Sequence, residues 1–441
     1  METKPTPPIQ FLFPQELIDT LIDLIQDLRQ NSNTPQDFTS TLKACSLTCK
    51  AFLPRARKHL FRELILRTNP RDHYRATDKL SFRQRVQFLL DRDHLTGLSP
   101  EVLSLVRKLT VCEGHFTWAD WHTNGERHRL LPFGLLPFTA LTEIELGSKH
   151  ARSSYDIDGQ SLSMLLRKNL SLEILHLESV AFSKTSETLS VLSSLSHHVN
   201  FHSLGLVSVH IQDALTLSRI DMPVISCVQQ PRLKNLDFRD PDDRLLGVLF
   251  LNPDSIFDIS GLQTLDLSTQ LKPIMSQTAP EDGNYPKILS RCPGSLARLC
   301  LDVRDFLWMD VTTMDYLQDA TELELLELKG LPIRHGWTQE IEFIVTLISA
   351  LPAKLHCLSL HVGTLDTHLS NQFVELDLEL SKTLPSSSNL KEVKIVFEQY
   401  GCTVDGETDI EPIVKWFPSL TEKKLLITTE RSKRRDLYPV K

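Results

Sequence analysis

The sequence predicts an α/β fold of the stacked-repeat kind, an irregular solenoid preceded by a small module of three helices. Three observations carry this expectation. A motif of the form apolar-x-x-apolar-x-apolar returns through most of the 441 residues, segments of helical periodicity separate its copies, and the N-terminal stretch has a helical pattern without that motif. The predicted organisation is a disordered tail over 1–9, the helical module over 10–66, a linker with a cap helix over 67–104, the solenoid over 105–428 and a basic tail over 429–441.

The first helix starts at Pro14, which costs no hydrogen bond in a first turn, with Glu16 and Asp19 suited to the positive helix end. Leu17, Leu21, Leu24 and Leu28 form one apolar row, and Ile18, Ile22 and Ile25 a second beside it. A short bundle covers one such row more readily than two, so one is expected to pack internally and the other on a partner chain; Pro14 and the Ile18/Ile22 row are the side expected to be open to that partner, and burial of that row in the following repeats would favour an interaction scaffold instead. A polar spacer, 30–37, leads to a second apolar segment through Leu42, Cys45, Leu47, Cys49 and Phe52. Pro54 then opens a third helix carrying Arg55, Arg57, Lys58 and His59.

The runs LFPQELIDTLID (12–23) and LKACSLTCKAFLPRARKHLF (42–61) resemble the F-box of the large fungal F-box families, in the order and spirit of its three helices, with Phe52 where that family commonly has Trp. The resemblance implies docking to the Skp-type adaptor of a cullin-RING (SCF-type) ubiquitin ligase. Leu12, Pro14, Leu17, Ile18, Leu21, Ile25, Leu47 and Phe52 are the contact residues it implies.

Phe61/Leu64/Leu66 reads as a first, imperfect strand, and Leu80 to Leu90 as the cap helix. The regular motif follows as Val106/Leu109/Val111, Leu141/Ile144/Leu146, Leu172/Leu175/Leu177, Phe201/Leu204/Leu206, Leu233/Leu236/Phe238, Leu262/Leu265/Leu267, Leu296/Leu299/Leu301, Leu323/Leu326/Leu328, Leu355/Leu358/Leu360 and Leu390/Val393/Ile395. Their starts lie about 27 to 35 residues apart, near or beyond the long end for leucine-rich repeats. Helices are expected over 161–168, 310–320, 339–350 and 370–383. Each unit has an apolar face that only its neighbours can cover, so the strands should stack as a parallel sheet lining the concave side of a horseshoe. The polar residues between the leucines argue against a sheet buried on both faces. The asparagine that usually follows such a strand is missing, with Pro241, Gln270, Arg304 and Gly363 in its place, so the loops must satisfy their backbone otherwise.

Side chains alternate along a strand, so the residues between the leucines face a target. Glu143, Glu145, His176, Asp237, Arg239, Asp266, Arg298, Asp302, Glu327, Lys329, His361 and Lys394 are the candidates, and their acidic excess suits a protein partner with basic patches. The loop 239–244 is a charged rim, and 431–435 a basic run suited to nuclear import.

A net charge of −8 and a pI near 6.1 argue against a protein built to neutralise nucleic acid or coat an anionic membrane. No apolar run approaches the roughly 20 residues of a bilayer span, and residues 1–9 lack a secretory pattern. An intracellular protein, cytoplasmic or nuclear, is expected, with its eight cysteines as free thiols. The Cys45/Cys49 pair has no second ligand pair, and His115, His122, His128 and His197, His198, His202 lack metal-site spacing. No phosphate-cradling glycine loop, paired-histidine helix or nucleophile elbow occurs, so no enzyme, cofactor or metal is expected.

Overall fold

The structure is a computed structural model. It describes residues 14–31, 35–48, 50–67, 99–113, 133–148, 155–211, 230–239, 245, 247–251, 255–268, 284–292, 294–302, 317, 319–331, 341–342, 344–347, 354–362, 369–383, 389–398, 413–422 and 426–432.

Three helices open the chain: α1 (Gln15–Asn31), α2 (Pro35–Thr48) and α3 (Leu53–Leu60). Ile22, Leu42 and Ala56, one residue from each, are fully covered, and Ile25, Cys45, Phe52 and Leu60 pack around them. This small core is separate from the one that holds the rest of the chain.

Two residues after α3 the first strand begins. The strands are β1 (Glu63–Arg67), β2 (Lys108–Glu113), β3 (Glu143–Ser148), β4 (Tyr155–Ile157), β5 (Ile174–Glu178), β6 (Val180–Phe182), β7 (Ser203–Val207), β8 (His210–Ile211), β9 (Asn235–Arg239), β10 (Thr264–Asp266), β11 (Arg298–Asp302), β12 (Leu325–Leu331), β13 (Cys357–Val362), β14 (Glu392–Glu398) and β15 (Leu426–Ser432). Among the described residues, twelve of them form one parallel sheet in the order β1-β2-β3-β5-β7-β9-β10-β11-β12-β13-β14-β15. The strands of this sheet follow one another in chain order, which is the topology of a solenoid.

Register follows from the motif. Leu109, Ile144, Leu175, Leu204, Leu236, Leu265, Leu299, Leu326, Leu358 and Val393 stand opposite one another along the sheet. Each is at most 1 % exposed. Slipping any strand by one residue would turn these side chains to the opposite face, so burial itself fixes the pairing.

The sheet starts earlier and ends later than the expected 105–428. β1 lies inside the segment assigned to the helical module, and β15 runs into the segment assigned to the basic tail, so Arg431 and Ser432 belong to a strand paired with β14. Helices Gly159–Lys168 and Leu369–Thr383 occupy two of the four expected spans, and helical turns at 341–342 and 344–347 mark a third. The cap helix expected at 80–90 and the residues Pro241, Gln270, Arg304 and Gly363 lie outside the described residues.

Two devices replace the missing asparagine where the turns are described. After β5 and β7 the chain turns through Ser179 and Ser208, at φ of 54° and 50°. Their amides bond Val207 O and Arg239 O at 2.8 Å each. The chain then enters β6 and β8, which pair in parallel with β4 and β6 in a second sheet of three strands. Before β5, the buried Asn169 accepts from Leu141 N (2.8 Å) and donates to Phe138 O (3.1 Å) and Leu165 O (2.8 Å), tying one repeat to the next. His198 holds the corresponding place one repeat later, with Nε2 3.0 Å from Leu166 O.

Candidate interaction surfaces

The sequence gives α1 two apolar rows, and a three-helix unit covers only one. The isoleucine side is inside: Ile18 and Ile22 are buried and Ile25 is half-buried against the unit's own core. The leucine side is outside, with Leu17, Leu21 and Leu24 each a little over half exposed. Pro14 is exposed too, and Leu47 on α2 is 87 % exposed. Gln15 Nε2 donates to Ala51 O at 3.0 Å, which sets the start of α1 beside the end of α2, so Pro14, Leu17 and Leu47 share one end of the unit.

Of the expected adaptor contacts, Ile18 is buried, and Ile25 and Phe52 are half-buried against the unit's own core; Leu24, outside the expected set, joins the exposed row. Leu12 lies outside the described residues.

Asp23 fastens α1 to α3. Its carboxylate takes the Arg55 guanidinium through both oxygens and His59 Nε2 at 2.7 Å. The hydrogen bonds from Arg55, joined by His59, hold this carboxyl at about 2 against an ordinary 3.8, although burial works the other way. The basic stretch expected on α3 is thus divided: Arg55 and His59 are spent inside the unit, while Arg57 and Lys58 face solvent.

On the sheet face away from the leucines the charges meet one another. Arg239 grips Asp237 through two nitrogens at 2.6 and 2.7 Å. Lys329 on β12 reaches past β11 to Asp266 on β10 (3.0 Å) and to Ser268 Oγ (3.2 Å). Arg298 bonds Glu327 at 2.6 Å, with His361 3.9 Å from the other oxygen of Glu327. Burial works to lower the pKa of Arg239 and Lys329, and it is more than offset by Asp237 beside Arg239 and by Cys300 and Asp266 beside Lys329, so both cations are held above their ordinary values. Asp266 is held below its own by Lys329 and Arg239 in spite of burial.

Lys108 on β2 serves two carboxylates on β3, Glu143 at 2.6 Å and Glu145 at 2.8 Å, and Thr110 Oγ1 donates to Glu145 at 3.2 Å. Burial pushes the Glu143 carboxyl above its usual range even so, while Lys108 and the nearby His176 bring Glu145 below it. His176 on β5 stands 3.9 Å from Glu178.

Two of the expected target-facing residues are not open to a target: Asp302 is fully buried, and Glu327 on β12 is nearly so and is bonded by Arg298 of β11. Glu143, Glu145, His176, Asp237, Arg239, Asp266, Lys329, His361 and Lys394 are half-buried, and Arg298 is exposed. Residues 240–244 of the charged rim and 433–435 of the basic run lie outside the described residues.

Burial pushes the thiol of Cys300 well above its ordinary pKa and that of Cys292 up to about 12, which leaves both poor nucleophiles at neutral pH. Among the described residues no three His, Cys, Asp or Glu side chains are grouped as metal ligands, and no helix is long and apolar enough to cross a membrane.

No protein-family model matches the chain, and no curated protein does. Solved structures do. The leucine-rich repeat-containing protein LegL7 from Legionella pneumophila matches at 12% identity over 83% of this chain and 89% of that one, with a TM-score of 0.38. The Rad7 and Elc1 complex in yeast matches at 16% identity over 89% and 90%, also at 0.38.

Proposed function

We propose that the chain is a non-catalytic substrate receptor of a cullin-RING ubiquitin ligase. In this reading α1 to α3 are an F-box-like unit that docks a Skp-type adaptor, and the sheet face holds a protein target inside the cell. The carrying observation is the exposed row Leu17, Leu21 and Leu24, with Pro14 and Leu47, on a unit whose own core is already closed by Ile22, Leu42 and Ala56. Burying a leucine is worth roughly 1.5–3 kcal/mol. A partner that covered this row would gain several kcal/mol while leaving the unit's interior unchanged. The resemblance of residues 12–23 and 42–61 to the F-box names the adaptor class.

Ubiquitin transfer would be accelerated by proximity: the receptor holds the target near the ligase, and no side chain of this chain takes part in the chemistry. Raised thiol pKa values at Cys292 and Cys300 accord with that role.

The test is a pull-down of the full chain with a purified Skp-type adaptor, beside the variant Leu21→Asp with Leu47→Asp. Both positions are exposed, so the variant keeps its fold. Capture of the wild type and loss of at least tenfold in affinity with the variant support the receptor. A wild type that is folded and not captured leaves a ligase-independent interaction scaffold as the reading.

A further inference from the structure

We propose that the partner covering the exposed leucine row meets Lys43 and Lys50 with carboxylates, so that the adaptor docks through an apolar strip with an acidic border. This rests on the receptor reading and gives the adaptor's surface a chemistry. Lys43 stands one helical turn before Leu47 on α2, which puts both on one side of that helix, and Lys50 follows three residues after Leu47. Lys50 also precedes Ala51, whose carbonyl takes Gln15 Nε2, so it lies beside the start of α1. The two lysines therefore border the end of the unit where Pro14, Leu17 and Leu47 are open to water.

The unit itself supplies no acid to them. On α1, Asp23 is held by Arg55 and His59, and Asp19 takes Gln15 Nε2 at 2.8 Å. Lys43, Lys50 and the acid Glu16 are all exposed, and among the described residues none of the three forms an ion pair. The sheet face shows what a cation of this chain requires once water is withdrawn. There the half-buried Lys108, Arg239 and Lys329 each have a carboxylate within 3.0 Å. A partner seated on Leu17 and Leu47 withdraws water from Lys43 and Lys50 in the same way. An ammonium that loses water and gains no acid weakens binding, and a basic border would repel the lysines outright, so the partner that fits brings carboxylates to this edge.

The test measures the affinity of the full chain for a purified Skp-type adaptor by interferometry, from about 50 to about 300 mM salt. Wild-type binding should weaken several-fold as salt rises, a readout that needs no substitution. Lys43→Gln with Lys50→Gln should weaken low-salt binding by roughly threefold to tenfold and flatten the salt dependence, and reversal of both to Glu should weaken it further. Lys184→Gln with Lys287→Gln removes the same charge from exposed positions of the arch and should change neither. Wild-type affinity indifferent to salt, or Lys43/Lys50 variants that bind as the wild type does, would overturn the acidic border. The receptor reading survives that result if Leu21→Asp with Leu47→Asp still abolishes capture. A folded wild type that is never captured overturns both.

Discussion

In the strand stack Leu175, Leu265, Leu299, Leu326 and Leu358 are sealed from water, whereas on α1 Leu17, Leu21 and Leu24 each keep about half their surface in it and Ile18 and Ile22 beside them are covered. The residue type is the same and the outcome opposite. A repeat strand shows one apolar side and finds a neighbour above and below, so every leucine has a place in a core that runs unbroken through the stack. A helix with two apolar rows in a unit of three helices has too few neighbours, and one row is left over. Stability lives in the first arrangement and adhesion in the second.

The largest effect should come from breaking the stack. Leu358→Ala removes a fully buried side chain between paired strands and should cost about 2–5 kcal/mol in denaturant unfolding. Leu21→Ala on the exposed row should cost under about 0.5 kcal/mol in the same assay. Equal costs would erase the contrast drawn above.

Next comes Asn169→Ala. It strands Leu141 N, Phe138 O and Leu165 O in the interior, and on the order of 2–3 kcal/mol should be lost, with hydrogen exchange rising first in the repeats on either side.

A smaller effect should separate the regions by pH. Because the folded pKa of Asp23 is depressed to about 2 from 3.8, its contribution is complete above pH 4 and is lost as pH falls from about 4 toward 2. The carboxylate is 38% exposed and screened, so the loss should be about 0.5–1 kcal/mol, shrinking with salt. Amide exchange across α1 and α3 should show this acid limb, and Asp23→Asn should flatten it. The smallest change is expected for Ser179→Gly, which suits the φ of 54° and should raise the melting temperature slightly, worth up to about 1 kcal/mol, while Ser179→Val should lower it.

Ten strands were legible because their leucines hold the spacing, and β1 because Phe61, Leu64 and Leu66 nearly do. β15 was not, and its register shows why: Ile427 pairs with Val393, but the flanking pattern places hold Lys424 and Thr429 instead of leucine. The sheet of β4, β6 and β8 was hidden by brevity, two or three residues each. On α1 periodicity located both apolar rows, but the Ile18/Ile22 side expected to be open to a partner is the buried one, since Ile22 meets Leu42 and Ala56 from other helices. Alternation places Asp302 among the polar positions of its strand, but burial depends on what neighbouring units add around it, and Asp302 is fully buried.

The in-order pairing of the twelve strands of the large sheet has a consequence for how such a chain changes over evolutionary time. Each of these strands pairs with the sheet strand before it and the one after, so the energy is close to a sum of nearest-neighbour terms, as in a one-dimensional Ising chain. A substitution on the face of β3 is felt by β2 and β5 and little beyond. The receiving surface can therefore be rewritten one rung at a time, while the helices that begin the chain hear nothing of the revision.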